Sequence, residues 1–320
     1  MKPFDTTFTF SVLSKYRTEL LGLSAILIML FHFHVWQLFP EFSKYVLRFA
    51  FGAVDIFLFL SGVGLCYSMN KNDSIKSFYT KRFTRIYPSF AMVTAITLLI
   101  GQKTVLSMIL LFTGITYWLA PFLNVDAGFW YISLIIPLYV VFPYLYRFFK
   151  SASGFQSLCM LTICFALPYI VHFMWGNCYD YALTRITPFL LGIILYLNRN
   201  KITNMGVPLI TVSIIFFVIL NAYSALSGGA NIHKTLIQLS MLGLIAPGFS
   251  LIFCISISKC PQFIRKILNW LGLMSLELYM VHLTLYHWIK TPLLLVFLSI
   301  VVSYLIWIVS RKIQKAIEKL

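Results

Sequence analysis

Apolar positions in this chain come in long uninterrupted blocks separated by short polar connections. They do not follow the alternating or three-and-four pattern of a water-soluble fold. Blocks at about 18–38, 51–70, 87–101, 129–147, 157–175, 182–197, 207–223, 235–257, 271–289 and 292–310 predict helices. Each is long enough, or nearly so, for a hydrocarbon layer of ~30 Å. The expected fold is therefore all-α, a polytopic membrane protein of about ten transmembrane helices. Residues 104–128 begin apolar but are broken by Gly114, Pro121 and Gly128. A full span there would carry Arg147 and Lys150 to the other side, so the stretch is read as an interfacial or re-entrant segment on the outer side, with a plain eleventh helix as the alternative. The first block lacks a small-residue cleavage site and is read as a retained helix. With no long linker, repeat or soluble stretch, residues 1–320 read as a single transmembrane domain.

Composition supports this and removes other classes. Apolar and aromatic residues make up 60% of the chain and charged residues 11%, where a soluble domain carries roughly 25% charged residues. The net charge of +16 would suit nucleic acid, but its distribution argues for topology. With the N-terminal side taken as inside, 19 of the 25 Lys and Arg residues fall in inside segments. That is the positive-inside pattern, with both termini cytoplasmic and a multi-pass location in the cell (inner or plasma) membrane. No nucleic-acid partner is expected. Four of the six cysteines lie in apolar runs, and Cys178 and Cys260 fall on opposite sides, so neither a disulfide framework nor a metal site is read.

Ionisable residues inside apolar blocks are costly, so they carry the chemical information. Arg17 stands at the inner end of the first helix and His32 fifteen residues on, about 22 Å along the axis at ~1.5 Å per residue. A neutral imidazole is tolerated there and exchanges a proton near neutral pH. His34, two residues further, faces away. The second helix places Asp55 near its outer end and Ser61-Gly62 midway. Gly52, Gly62 and Gly64 serve helix packing or close approach of a ligand equally well. Arg82 and Arg85, three apart on one face, suit phosphate oxygens or a simple membrane anchor. Trp130 opens the fourth helix as a belt aromatic. Glu277 and His282 lie inside the ninth, where Ser275, Tyr279 and His282 form a stripe. These residues fit an enzyme acting across the membrane. They also fit a proton-coupled transporter of a small solute or lipid-linked sugar, with His32, Glu277 and His282 as a proton path.

The same residues carry a resemblance to the acyltransferase-3 family of polytopic membrane acyltransferases, in the form without an appended soluble domain. The run LLGLSAILIMLFH ends in His32. VDIFLFLSGVGL carries Asp55, Phe57, Ser61 and Gly62, and FYTKRFTRIYP carries Arg82, Arg85 and Pro88. WYISLIIPLYVVFP carries Trp130, Ser133, Tyr139 and Pro143, and LGLMSLELYMVH carries Gly272, Ser275, Tyr279 and His282. The chain departs from the family pattern at Leu21, where an Arg is usual, and at Ile135, where many members carry a Glu. Arg17 lies one helical turn before Leu21 on the same face. The resemblance implies O-acyl transfer from a cytoplasmic acyl-CoA, in most members acetyl-CoA, to a hydroxyl of a carbohydrate or glycolipid acceptor, with no tightly bound cofactor. It implies His32 as general base, Ser61 or Tyr279 as oxyanion donor, and Arg17, Arg82 and Arg85 as ligands of the acyl-CoA phosphates. Asp55, Trp130, Glu277 and His282 are then acceptor-binding candidates. An acyl-histidine route is a variant. The departures leave a third reading, an inactive scaffold in a glycan-export assembly.

Overall fold

Polar punctuation between the apolar blocks sets where helices start and stop. The Ser153 side chain accepts from the Gln156 backbone N–H at 3.2 Å, and the Gln156 side chain accepts from the Ser153 N–H at 2.8 Å. Thr235 and Gln238 repeat the arrangement at 3.3 and 3.1 Å. Such capping boxes satisfy backbone donors that a helix start leaves unpaired. Gly176, at φ 67°, ends the first of these two helices. Pro292 opens the last helix of the chain, where a missing backbone N–H costs nothing.

The computed structural model describes residues 9–33, 48–100, 105–123, 125, 128–201, 205–226 and 235–318. His34, the end of the first expected span, and the connection residues Lys2, Lys44, Lys103, Lys234 and Lys319 lie outside them. The described helices are α1 (Thr9–Lys15), α2 (Arg17–His32), α3 (Ala53–Lys71), α4 (Ile75–Ile100), α5 (Val105–Thr113), α6 (Thr116–Leu123), α7 (Trp130–Ser151) and α8 (Gly154–Trp175). They continue with α9 (Asp180–Leu183), α10 (Ile186–Leu197), α11 (Gly206–Leu226), α12 (Leu236–Lys259), α13 (Gln262–Leu273), α14 (Ser275–Tyr286) and α15 (Pro292–Ile317). Single 3₁₀ turns precede α3 and α9. The described residues contain no strand. Seven of their helical segments are long and apolar enough to cross a membrane: those containing α3, α4, α7, α8, α11, α12 and α15. The α10 helix is apolar but shorter.

Helix α1 precedes the first expected block, and two further elements differ from the sequence expectation. Helix α4 starts at Ile75 rather than at 87. The basic run before Pro88 reads as a connection by hydropathy. Lys and Arg are good helix formers, however, and Phe78, Thr84 and Ile86 give the run a buried face. Most of helix α13 falls between the expected helices 235–257 and 271–289. It is amphipathic, with Leu268, Leu271 and Gly272 buried and Phe263, Ile267 and Trp270 exposed. The backbone breaks at Met274, so the expected helix 271–289 is the end of α13 followed by α14. Residues 104–128 hold the short helices α5 and α6, separated at Gly114 with φ 73°.

The chain forms two compact units, Met1–Tyr67 with Tyr144–Leu273, and Ser68–Pro143 with Met274–Leu320. In the first, α13 packs along α2 and α11 along α12. A Cβ on Gly22 would collide with the Leu268 carbonyl oxygen, and one on Gly272 with the Thr18 carbonyl oxygen. Gly62 and Gly192 make the matching crossing of α3 and α10, against the carbonyl oxygens of Phe189 and Phe59. In an apolar solvent, helices gain contact by backbone approach at small residues, which gives Gly62 a packing role. Phe49, Phe51, Leu220, Leu239, Leu242 and Ile245 form an apolar cluster of this unit. In the second unit, α4 packs against α14, α15 and α5, and α14 against α15.

Candidate active site

In the first unit, α2 carries Arg17 at its start and His32 at its end. The His32 ring nitrogen Nδ1 lies 2.9 Å from the Ile28 carbonyl oxygen. A carbonyl only accepts, so Nδ1 bears the proton and the neutral ring keeps its lone pair on Nε2. Helices α2 and α3 run antiparallel. The Arg17 guanidinium lies against Gly64, and the Phe31 ring centroid is 5.0 Å from that of Phe51. A Cβ at Gly64 would stand 2.9 Å from Arg17 Nη2, so a larger residue there would push the guanidinium aside. This register puts Ser61, half-buried, level with Leu20 and Leu21. Arg17 thus stays at its own level, about one turn from Ser61, instead of climbing toward the Leu21 position.

Asp55 and Arg185 are the deepest charges of this unit, with side chains 0% and 1% exposed and Arg185 Nη2 at 3.9 Å from Asp55 Oδ2. Neither Asp55 oxygen has a hydrogen-bond partner among the described residues. Arg185 Nη1 donates to the Tyr181 carbonyl at 3.0 Å and to Thr184 Oγ1 at 3.3 Å. The carboxylate assigned to the acceptor therefore has a protein partner in Arg185. A separate acid–base pair joins His172 Nδ1 to Asp180 Oδ2 at 2.8 Å.

In the second unit, Arg82 and Arg85 lie well inside α4 on one face. Arg82 Nη2 donates to Ser68 Oγ at 3.1 Å, and its guanidinium sits 5.6 Å from the Phe78 ring centroid. Phe78 is in turn stacked on Phe142 at 5.4 Å. One turn beyond Arg85, Ser89 Oγ donates to Glu277 Oε1 at 2.6 Å, and both residues are buried. Glu277 Oε2 has no hydrogen-bond partner among the described residues. Further along, Thr97 and Thr284 hydroxyls meet at 3.1 Å. Helices α4 and α14 therefore run in the same direction, with the arginines at one end and the Thr97–Thr284 contact toward the other. Between them, Tyr279 lies 5.0 Å from Tyr131 and 6.0 Å from His282, ring centroid to centroid. His282, fully buried, donates through Nδ1 to the Leu278 carbonyl at 2.7 Å, the same tautomer as His32. Trp130 is half-buried at the first residue of α7, beside Tyr131 at 6.1 Å.

The structure thus divides the sequence-predicted residues. Arg17, His32, Asp55 and Ser61 belong to the first unit. Arg82, Arg85, Trp130, Glu277, Tyr279 and His282 belong to the second. Sequence reasoning missed Arg185, Ser89, Tyr131 and Arg311. The available signals were an arginine at the head of an apolar block and a serine directly after Pro88.

These features define a helical membrane protein with buried, hydrogen-bonded acid–base groups in both units. Residues 22–310 match the model of the family described as "Acyltransferase domain", and the chain belongs to this acyltransferase-3 family. The match runs through both units, with Arg17 and Arg311 just outside it. The chain is also similar to a protein of Acidianus two-tailed virus named "Putative acetyltransferase ORF330", with 23% identity over 285 residues, 83% of this chain and 81% of that protein. No solved structure matches the chain.

Proposed function

We propose that this protein is an O-acyltransferase that moves an acyl group, acetyl in the simplest case, from cytoplasmic acyl-CoA to a hydroxyl of a cell-surface or lipid-linked carbohydrate. The observation that carries the reading is His32. Its Nδ1 proton is held by the Ile28 carbonyl, which leaves Nε2 as the basic atom inside an apolar helix. Nε2 takes the proton of the acceptor hydroxyl as that oxygen attacks the thioester carbonyl. The carbon–sulfur bond breaks, and the leaving thiolate recovers the proton from the imidazolium. Such a base supplies roughly 10²–10⁴-fold in rate. Ser61 or Tyr279 donates to the developing oxyanion. Arg82 and Arg85, with Arg17, hold the donor's phosphates. Asp55, Trp130, Glu277 and His282 line the acceptor's side. The reading is completed by about ten spans, one membrane domain over residues 1–320, cytoplasmic termini, the cell membrane, and acyl-CoA as a diffusing substrate rather than a resident cofactor.

The test supplies radiolabelled acetyl-CoA to purified protein in vesicles with candidate glycans and follows free thiol. Thiol release that depends on the glycan and disappears in a folded His32→Ala variant supports the proposal. Near-normal release in that variant ends the general-base role. Solute movement with no thiol release would instead support the proton-coupled transporter.

A further inference from the structure

Helix α15 packs against both α4, which bears Arg82 and Arg85, and α14, which bears Glu277. It is still packed where it nears its end, since Ser310 is buried. Arg311 follows it and is half-buried, with its guanidinium 5.8 Å from the Trp307 ring centroid and Nη1 donating to Gln314 Oε1 at 3.0 Å. A ring one turn back and an amide one turn on hold this side chain from two sides.

We propose that Arg311 is a third ligand for the phosphates of the acyl donor, acting with Arg82 and Arg85; this rests on the acyl-CoA reading of that arginine pair. The order of elements brings Arg311 to that pair: α4 and α14 run in the same direction, and α15 follows α14 after only residues 287–291 and packs back along both, so its Ser310–Arg311 end returns to the end of α4 that bears Arg82 and Arg85. Glu318 is exposed and accepts from Gln314 Nε2 at 2.9 Å. Glu277 is buried and bonded to Ser89. Three guanidinium groups on two helices therefore come to one end of this unit, where the buried carboxylate of Glu277 is bonded to Ser89. An excess of positive charge gathered at one end of an otherwise apolar unit calls for an anion. Coenzyme A offers two separated anionic centres, a pyrophosphate and a ribose 3′-phosphate. An arginine pair on one helix and a single arginine on another match that division. Planar guanidinium forks also bind phosphate oxygens in pairs.

The experiment measures binding of acetyl-CoA and of acetyl-pantetheine, which lacks every phosphate but keeps the same thioester arm, to the full-length protein in detergent. Arg311→Gln is expected to weaken acetyl-CoA by about tenfold to a hundredfold, the range set by one charge-assisted hydrogen-bonded contact. Acetyl-pantetheine binding should stay unchanged. Arg311→Lys should recover part of the loss. If Arg311→Gln misfolds, unaltered protein gives the same answer. Acetyl-CoA, but not acetyl-pantetheine, should protect Arg311 from phenylglyoxal as read by mass spectrometry. Wild-type acetyl-CoA affinity in Arg311→Gln, or absence of protection, overturns the proposal. Arg82→Gln/Arg85→Gln would then show whether the donor reading survives, because that double variant weakens acetyl-CoA if the pair alone binds phosphate. No loss in either variant overturns both.

Discussion

Asp55→Asn in α3 tests how a buried charge pair holds this bundle. The Asp55 and Arg185 side chains are 0% and 1% exposed and 3.9 Å apart. At that separation, and at an effective dielectric constant of ~20, their attraction is about 4 kcal/mol. Asparagine keeps the size of the carboxylate and removes its charge, leaving the Arg185 guanidinium buried with neutral partners. The expected loss is about 3–5 kcal/mol, the cost of removing one member of a buried pair. Arg185→Met should cost a similar amount, because it strands Asp55, neither of whose oxygens has another hydrogen-bond partner among the described residues. The double variant removes both charges and should be more stable than either single one. Unfolding free energies of the four proteins, measured in one detergent, complete the cycle. Strict additivity, with the double variant losing the sum of the two single losses, would refute the argument that the two charges stabilise each other.

Three further outcomes follow from other contacts. Gly272→Ala should lose about 1–3 kcal/mol as an overpacked core position does, since its Cβ meets the Thr18 carbonyl oxygen; a thermal-unfolding midpoint equal to wild type would contradict the close crossing of α2 and α13. Gly64→Ala puts a methyl 2.9 Å from Arg17 Nη2 and should raise KM for acyl-CoA with kcat little changed, as expected if Arg17 binds donor; a changed kcat at constant KM would oppose that role. Ser89→Ala leaves Glu277 Oε1 without its 2.6 Å donor and should cost about 1–3 kcal/mol, whereas Ser89→Thr should recover most of it in the same unfolding assay.

The sequence makes the solvent legible first. Long apolar blocks and sparse charges say lipid, and charged or titratable residues inside those blocks mark the chemistry. His32, Asp55, Arg82, Arg85, Glu277 and His282 stand out for that reason, and five weak motifs in order make the family legible. Their partners stay hidden. Ser89 and Glu277 meet across 188 residues of sequence, and nothing local to either announces the other. Arg185 and Arg311 are each one arginine among many in a chain whose topology alone calls for basic helix ends. Only packing separates an anchor from a paired or clustered charge. Helix α13 escaped because its 12 residues are too few for a span and its Arg265 and Lys266 resemble a connection. The start of α4 escaped because a hydropathy reading stops at arginines that a helix accommodates.

The glycine crossing of α2 on α13 also bears on how the protein is made. Gly22 and Gly272 touch backbone to backbone, yet about 250 residues separate them in the chain. At a synthesis rate of ~5–20 residues per second, the helix that ends in His32 waits roughly 12–50 s for the partner that seals its groove. During that interval its small-residue face lies open to lipid or to any other helix passing through the insertion machinery. One of the first helices to be made is thus among the last to be finished, and that long-range closure is expected to come late in folding.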